Sequence, residues 1–350
     1  MKICKIILCS ALVAVLFCSC NNDTDNNTPL GSYDDGILVL NEGGADTGFI
    51  TYISNDLTTV QQDIFTLVNG SETSLGGYLQ SVFFEGNRAF IISSLSNKIT
   101  VVNRYTFEYI ATIATGFSNP RYGAVFNGKA YVTNMNDFNE ATDDFITVIN
   151  LGDFSVDAPI SVGYNAEKLI ASNGKLYVSG GAFGMGNKIT VIDTQSETID
   201  TAITVGEAPN SMEIKDGILY VLCSSFSQTS EIVKIDLTLN TVVAEIIFPS
   251  TMNNAMNLDL EGDYIYFTVG AKAYKHNIIA TAVQDTPLFD TQSASSYIGY
   301  GFAVRGNRIF MSEAADDFVS DGRIFIYSDS GTFIDEVAAG LGPNGFYFND

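Results

Sequence analysis

The chain has 350 residues, of which 46% are apolar and only 16% are charged, so it is long enough and apolar enough to bury a large core. Its net charge of −23 argues against binding to nucleic-acid phosphates or to an anionic membrane surface, because both need Lys and Arg. We therefore expect a folded domain that binds no nucleic acid and meets a membrane only through an anchor.

The first 19 residues have the pattern of a secretory signal. Lys2 and Lys5 precede an apolar run over residues 6–17, which is shorter than the roughly twenty residues of a membrane span. Ser19, a small residue, comes directly before Cys20, and this arrangement resembles the cleavage site of bacterial lipoproteins. The resemblance implies cleavage after residue 19 and lipid on Cys20, whose acyl chains would hold the protein on a membrane.

Residues 20–33 are polar, and we expect them to form a flexible tether between the anchor and the folded domain. Asp23 and Asp25 make the start of the tether acidic, which resembles the export signal of surface lipoproteins in Gram-negative bacteria. The resemblance implies a lipid-anchored protein of the outer membrane that faces the cell exterior. The periplasmic face of that membrane stays open as the alternative.

The five cysteines predict no disulfide in the processed chain. Cys4, Cys9 and Cys18 leave with the signal, and Cys20 carries the lipid, so Cys223 has no cysteine with which to pair. Cys223 ends an apolar stretch, where a cysteine usually behaves as a small apolar side chain. We therefore expect Cys223 to be buried in the core.

A glycine that precedes an apolar strand recurs along the rest of the chain. The intervals between these glycines are 42 to 50 residues, which match the length of a four-stranded propeller blade. The glycines are Gly36, Gly86, Gly128, Gly174, Gly217, Gly262 and Gly306. The predicted fold is all-β: a seven-bladed β-propeller of four-stranded antiparallel blades over residues 34–350. No stretch outside the signal carries a convincing 3.6-residue apolar period.

One repeat shows how its four strands, A to D, follow one another. Strands are predicted where short runs of β-branched and apolar residues are separated by turn residues. They span residues 210–215, 218–224, 231–237 and 242–248. Asp216-Gly217 joins strands A and B, because both residue types accept the positive φ of a tight hairpin turn. Turns A–B and C–D then lie on one face of the propeller, and the longer loops B–C and D–A lie on the other.

The first repeat begins at strand B, and the last repeat ends with strand A. Residues 343–350 are therefore predicted to close the ring as strand A of the first blade, paired beside residues 36–40. Such closure removes two open sheet edges. It would also bury Phe346 and Phe348, which stabilises the fold by about 1.5–3 kcal/mol for each side chain.

Several of these segments resemble the YncE-like, surface-layer-type seven-bladed propellers. The resemblance covers residues 35–350 and is carried by the Val-Gly-Glu-Ala-Pro-Asn turn at residues 205–210 and by strands of the Tyr-Val and Val-Ile-Asp type. Residues 40–43, 115–122 and 322–343 further resemble lipoproteins of this class that work beside TonB-dependent transporters. Some members capture cobalamin at the cell surface and pass it to the transporter. The resemblance therefore implies a corrinoid ligand and an outer-membrane transporter as partner.

Groups for catalysis or metal binding are scarce in this sequence. His276 is the single histidine, so no Ser-His-Asp, Cys-His or multi-histidine site is expected, and the histidine is interpreted as structural. The prediction is no enzyme activity, no cofactor and no metal. Two acidic loops, over residues 136–144 and 313–321, leave a structural calcium ion as an alternative to solvated loops. Their carboxylates also leave glycoside hydrolysis as an alternative.

A ligand is expected at the channel mouth on the face of loops B–C and D–A, because long loops on a rigid scaffold often carry function. Counting back from each glycine places one or two residues of every strand A at this mouth. These residues are Gln80, Arg121, Tyr122, Glu167, Lys168, Asn210, Met256, Tyr300 and Asn344. Aromatic and amide side chains around a funnel suit a large, flat ligand that bears amides.

Aromatic residues in the loops are candidates for rim contacts with the same ligand. They are Phe117, Tyr164, Phe183, Phe226 and Tyr297. Any one of these aromatics could instead pack between blades. Arg121, a cation in an acidic chain, could instead form a salt bridge to a neighbouring blade.

Taken together, these patterns predict a non-catalytic, monomeric surface lipoprotein that binds an extracellular small molecule. The first candidate is a corrinoid for delivery to a TonB-dependent transporter, as the resemblance implies. The main alternative is a surface scaffold or adhesin that binds protein or glycan, and a propeller hydrolase or lyase is the other.

Overall fold

The structure is a computed structural model, and it describes residues 30–140, 142–163, 165–181, 184–225 and 228–350. Strands within these residues form seven antiparallel sheets of four strands each, which confirms the predicted propeller. In each sheet, strand A lines the central channel and strand D lies at the outer edge. The predicted signal, Cys20 and most of the predicted tether lie outside the described residues.

The strands follow one another in chain order from blade 1 to blade 7. Blade 1 contains β1 (Gly36–Asn41), β2 (Phe49–Ser54) and β3 (Val60–Gln61). Blades 2 and 3 contain β4 (Leu79–Glu85), β5 (Arg88–Ser93), β6 (Lys98–Asn103), β7 (Tyr109–Ile113), β8 (Pro120–Phe126), β9 (Lys129–Asn134), β10 (Phe145–Asn150) and β11 (Ile160–Ser161). Blades 4 and 5 contain β12 (Ala166–Ser172), β13 (Lys175–Gly180), β14 (Lys188–Asp193), β15 (Thr198–Thr204), β16 (Pro209–Lys215), β17 (Ile218–Cys223), β18 (Glu231–Asp236) and β19 (Thr241–Ile247). Blades 6 and 7 contain β20 (Ala255–Glu261), β21 (Tyr264–Val269), β22 (Lys272–Asn277), β23 (Phe289–Asp290), β24 (Ile298–Arg305), β25 (Arg308–Glu313), β26 (Arg323–Ser328) and β27 (Phe333–Ala338). The last strand, β28 (Pro343–Phe348), returns to blade 1.

Blade 5 shows why the sequence forms these strands. β17 is buried along nearly its whole length, and its sequence is accordingly a continuous apolar run. β19, at the outer edge, leaves most of its residues exposed. Asp216 and Gly217 have φ values of 52° and 78°, as the two central residues of a type I′ turn do. The predicted strand ends in this blade agree with the observed ends to within one residue.

The hydrophobic core is divided among the contacts between neighbouring blades. One cluster joins Tyr177 and Val191 of blade 4 to Val221 and Ile235 of blade 5. Because each face of a blade is covered by the next blade, no blade can bury its core alone. Cys223 belongs to the same cluster and is 1% exposed, which confirms the predicted burial, and this burial raises the pKa of its thiol.

β28 closes the ring as strand A of blade 1, as predicted. It pairs antiparallel with β1, from Ile37 opposite Phe348 to Asn41 opposite Pro343. Phe346 is buried at 8% exposure, whereas Phe348 is only partly buried. The burial expected for both phenylalanines is therefore complete only for Phe346.

One short helix, α1 (Ile64–Asn69), lies in the connection between β3 and β4. No sequence pattern indicated this helix, because six residues are fewer than two helical turns and cannot show a 3.6-residue period. The Asp63 side chain caps the helix by accepting a hydrogen bond from the Thr66 backbone N–H at 3.3 Å. Across the described ranges, no helix is long and apolar enough to span a bilayer.

Candidate functional site

A channel runs along the propeller axis and holds a cavity of about 1130 Å³. Strand A of every blade contributes residues to its wall. Eight of the nine predicted mouth residues line this cavity: Gln80, Tyr122, Glu167, Lys168, Asn210, Met256, Tyr300 and Asn344. Arg121 is not part of the wall and lies against Gln80 and Glu167 instead.

Seven of the predicted residues occupy the same position of strand A in their blades. Each lies five residues before the strand A residue that pairs with the first residue of strand B. These residues are Gln80, Arg121, Glu167, Asn210, Met256, Tyr300 and Asn344. Tyr122 and Lys168 lie one residue further along their strands. The number of residues between the repeat glycine and the mouth position differs among the blades. The glycine is the first residue of some A–B turns, as Gly86 is, and the second residue of others, as Gly128 is.

Arg121 is held by an ion pair across the boundary between blades 3 and 4. Its Nε and Nη2 donate to the two carboxylate oxygens of Glu167 at 3.0 and 2.7 Å, and its Nη1 donates to Gln80 Oε1. The side chains of Arg121 and Glu167 are only 14% and 16% exposed. Burial disfavours the Arg121 cation, but the Glu167 carboxylate outweighs burial, so the pKa of Arg121 is raised. The alternative of a salt bridge to a neighbouring blade is therefore confirmed.

A second contact joins blades 7 and 1 at the mouth. The Tyr300 hydroxyl donates a hydrogen bond to Glu42 Oε2. Burial raises the pKa of Glu42, although Tyr300 and the Arg121 cation oppose that rise. Burial and the Glu42 carboxylate together raise the pKa of Tyr300. Glu42 was not predicted as a mouth residue, because it belongs to the loop between β1 and β2 and the count considered strand A alone.

Asparagine amides join three further pairs of neighbouring blades. Asn210 Nδ2 donates to a backbone carbonyl of blade 6 at 3.0 Å, and Asn344 Nδ2 donates to one of blade 2 at 2.9 Å. Asn257 Nδ2 donates at 2.8 Å to the backbone carbonyl of the residue before Tyr300, which lies in β24 of blade 7. The Oδ1 atom of Asn344 is buried and has no hydrogen-bond partner among the described residues. The amides at the mouth thus connect neighbouring blades.

The wall between blades 4 and 5 carries charged groups that have no salt-bridge partner among the described residues. Lys168 Nζ lies 5.5 Å from the centre of the Tyr122 ring and forms no ion pair with any described residue. The Glu213 carboxylate accepts no hydrogen bond from the described part of the chain. Burial and the nearby Asp259 charge raise the pKa of Glu213 to about 7, against the opposing effect of Lys168. Burial also raises the pKa of Asp259 to about 6, although backbone N–H groups of Val304 and Leu260 donate to it.

Glu213 and Asp259 were missed by the sequence analysis, although the sequence carries a signal for them. Each lies two residues before the end of strand A, where Glu213 pairs with Tyr220 and Asp259 pairs with Tyr266. The equivalent residues of four other blades are apolar: Phe83, Ala124, Ile170 and Ala303. Two carboxylates in an apolar column would have been visible if the count had continued past the mouth.

A family model described as "Domain of unknown function (DUF5074)" matches residues 35–311. The chain belongs to this family. The DUF5074 match ends within β25, so the strand that closes the ring lies beyond it. No curated protein matches the chain.

Solved structures from several organisms resemble the DUF5074 propeller at low sequence identity. A functionally unknown protein from Desulfotomaculum acetoxidans is 11% identical at a TM-score of 0.68, with 90% of this chain and 98% of that chain covered. Hydrazine synthase from Kuenenia stuttgartiensis is 19% identical at a TM-score of 0.61, with coverages of 74% and 86%. BamB from Moraxella catarrhalis is 14% identical at a TM-score of 0.54, with coverages of 88% and 89%. Likeness at these identities shows the propeller fold and nothing of the ligand.

The raised pKa of Glu213 makes the stability of this DUF5074 propeller depend on pH. The folded state holds the Glu213 proton more tightly than the unfolded state, so this stabilisation is complete below pH 4.5 and is lost as the pH rises through about 7. Glu213→Gln removes the titration. We expect the wild type to lose about 1–3 kcal/mol of unfolding free energy relative to the variant across this window. Urea unfolding at a series of pH values measures the difference.

Glu72→Gln is the matched control, because Glu72 is exposed and far from the channel wall. Its unfolding free energy should follow the wild type at every pH. Parallel pH profiles for the wild type and Glu213→Gln would contradict the raised pKa.

The rim of the DUF5074 channel carries an aromatic cluster. Tyr297 packs edge-on against Phe318 at a ring-centre distance of 4.5 Å, and Phe318 lies 5.6 Å from Tyr300. Of the predicted rim residues, Tyr297 therefore lies at the rim, whereas Phe117 packs against the core between blades 2 and 3. The other predicted rim residues lie outside the described residues: Tyr164, Phe183 and Phe226.

Carboxylates of the two acidic loops accept hydrogen bonds from nearby protein groups. Asp143 Oδ2 accepts from Asn136 Nδ2 at 2.6 Å, and Asp144 Oδ2 accepts from a backbone N–H of blade 4 at 2.6 Å. Asp317 Oδ1 accepts from two backbone N–H groups of its own loop at 2.9 Å. In the part of the chain that the structure describes, no group of three or more His, Cys, Asp or Glu side chains is placed to hold a metal ion.

His276 lies in β22, away from the channel wall. Its ring stacks on that of Phe267 with ring centres 5.6 Å apart. Burial lowers the pKa of His276, and a hydrogen bond with the Gln284 backbone opposes that change. The ring is thus packed within blade 6, and its Nε2 atom is buried without a hydrogen-bond partner among the described residues.

Proposed function

We propose that this chain is a non-catalytic lipoprotein of the cell surface that binds an extracellular small molecule at the mouth of its channel. The observation that carries the proposal is the cavity of about 1130 Å³, which is walled by polar and apolar side chains of all seven blades. Small-molecule sites combine apolar surface with a few polar groups that orient the ligand. Lys168 and Glu213 supply such polar groups, and Met256, which is 51% exposed, supplies apolar surface.

The chemistry of the wall favours a ligand that carries amides. Glu213 offers acceptors for N–H donors, and Lys168 offers donors for carbonyl oxygens. A corrinoid, with its amide side chains, is the first candidate, and the proposed recipient is a TonB-dependent transporter of the outer membrane. Lipid on Cys20 would anchor the monomeric propeller to that membrane on its exterior side. The proposal involves no cofactor and no catalytic residue.

Cyanocobalamin is expected to bind the full chain at the channel mouth. Titration calorimetry of the detergent-purified protein should give heat that saturates, and the red absorbance of the ligand should co-migrate with the protein in gel filtration. Asp263→Asn is a suitable control, because Asp263 is exposed in the A–B turn of blade 6, on the face opposite the mouth, and should bind as the wild type does. Neither heat nor co-migrating absorbance would dismiss the corrinoid ligand.

A scaffold that binds protein or glycan is the second candidate, and one feature of the mouth face favours it. The loops of this face leave large apolar side chains exposed: Tyr78, Leu95, Met185, Tyr297, Phe318 and Val319. Exposed apolar groups that lie side by side, as Tyr297 and Phe318 do with ring centres 4.5 Å apart, are typical of protein contact surfaces. If the protein is such a scaffold, Val319→Asp should abolish capture of the partner. Added cyanocobalamin should have no effect on capture by the wild type. Pull-down from cell-surface extracts, with and without cyanocobalamin, separates the two candidates.

A further inference from the structure

The boundary between blades 4 and 5 differs from the other blade boundaries at the channel mouth. Each of the other six is bridged there by a side-chain hydrogen bond between described residues. The bridging side chains are Asn210, Asn257, Tyr300, Asn344, Gln80 and Arg121. Between β12 and β16, no side-chain hydrogen bond joins the described residues of the two strands. Among the described residues, this is therefore the one boundary whose inner strands carry no bridging side chain at the mouth, while in the loops beside it Asn187 Nδ2 donates to Glu207 Oε1 at 3.3 Å.

The two sides of this boundary carry opposite charges that face the cavity. Lys168 lies on β12, Glu213 lies on β16, and both line the channel. The Lys168 cation lowers the pKa of Glu213, so the two charges influence each other, yet they form no ion pair. A charge that is partly removed from water is unfavourable unless another group pairs with it. The group that fits here offers an acceptor to Lys168 and a donor to Glu213.

The neighbouring blade contributes apolar surface and a fixed negative charge. Met256 lines the cavity at the mouth of blade 6 and is half exposed. Both Asp259 oxygens accept backbone hydrogen bonds, from Leu260 and Val304, each at 2.7 Å. Asp259 is therefore held by the protein and contributes charge, whereas Glu213 keeps its oxygens available.

We infer that the ligand binds off the propeller axis and bridges blades 4 and 5, with a carbonyl oxygen on Lys168, an N–H group on Glu213 and apolar surface against Met256. A carboxamide supplies both the oxygen and the N–H group, so the ligand class is a molecule that carries a carboxamide on an apolar frame. The inference rests on the proposed function in taking the mouth as the ligand site. It goes further because it assigns Lys168 and Glu213 as the polar contacts and gives the six bridged boundaries a structural role.

Methionine-methyl NMR with succinamide as the probe tests this site without requiring the natural ligand. In the detergent-purified full chain at a pH above 7, succinamide should shift the Met256 methyl signal, which Met256→Leu assigns by its loss. Succinate, which lacks N–H donors, should not shift it. Lys168→Met and Glu213→Gln should each weaken the apparent affinity at least about tenfold, because each removes a charge-assisted hydrogen bond.

Glu42→Gln is the matched control, since it makes the same change of charge at a bridged boundary, where the amide oxygen can still accept from Tyr300. It should respond to succinamide as the wild type does. Three results would each overturn the inference. They are a Met256 methyl signal that does not shift in the wild type, an undiminished affinity for succinamide in Lys168→Met or Glu213→Gln, and an equal loss of affinity in Glu42→Gln. A Met256 response without cyanocobalamin binding would reject the corrinoid and leave this site standing.

Discussion

Deletion of residues 343–350 is expected to unfold the propeller or to open its ring. The segment provides strand A of blade 1, and without it β1 loses one of its two neighbours. Burial of Phe346 alone contributes about 1.5–3 kcal/mol, and a domain of this kind has only about 5–15 kcal/mol of net stability. Thermal unfolding followed by circular dichroism should show a transition far below that of the full chain or none. Gel filtration should show an expanded or associated species, because an open sheet edge pairs with other chains.

Asn349→Ala provides a graded version of the same test. Asn349 is fully buried, and its Nδ2 donates to the carbonyls of Arg104 in blade 2, at 2.7 Å, and of Tyr33. The Arg104 guanidinium in turn donates to Asn349 Oδ1 and to the Phe348 carbonyl. Loss of the amide leaves these groups unpaired, which we expect to cost about 1–3 kcal/mol.

Asp350→Asn is the control for both variants, because the Asp350 carboxylate is exposed and forms a surface ion pair with Arg305, and the substitution keeps the backbone carbonyl that accepts from Arg104. Exposed ion pairs contribute little, so its unfolding curve should overlay that of the wild type. The ring-closure account fails if the deletion variant melts as the full chain does and elutes as a monomer.

The architecture could be predicted because each strand signals itself locally. Apolar runs of five to seven residues and the Asn-Gly and Asp-Gly turns recur at a regular interval, and these short-range patterns fix both the strand ends and the blade count. Closure by β28 was predictable for the same reason, since one repeat lacked its strand A at the beginning of the chain and another strand A was left over at the end. The helix α1 escaped because its six residues carry no period.

The candidate site could be predicted as a set of positions but not as a set of interactions. Strand register placed Lys168 and Arg121 at the mouth, yet it could not tell that Arg121 pairs with a carboxylate whereas Lys168 forms no ion pair with a described residue. That distinction depends on Glu167, which lies 46 residues along the chain from Arg121 and reaches it only through blade packing. Glu42 was missed because its position is set by a loop rather than by a strand. Contacts between blades are long-range, and a repeat pattern does not encode which side chains meet across them.

Replacement of Arg121 by Met is expected to be the most damaging point change at the mouth. Methionine fills a similar volume, but it leaves the Glu167 carboxylate, which is only 16% exposed, without its bidentate partner. Removing one member of a buried ion pair typically costs about 3–5 kcal/mol, because the remaining charge stays buried. Urea unfolding at neutral pH should show this loss. The change should also free Gln80 Oε1, which accepts from Arg121 in the wild type.

The double variant Arg121→Met/Glu167→Leu separates the charge from the packing. When both charges are absent, no carboxylate is left unpaired, so the double variant should recover most of the stability that Arg121→Met loses. Asp263→Asn breaks the exposed Lys215–Asp263 pair and should change the unfolding free energy little. A double variant as unstable as Arg121→Met would mean that the guanidinium stabilises the boundary through Gln80 and packing contacts rather than by compensating Glu167. In that case the stability of the mouth would depend on the shape of the Arg121 side chain. The charges of the pair could then be replaced by uncharged groups of the same shape.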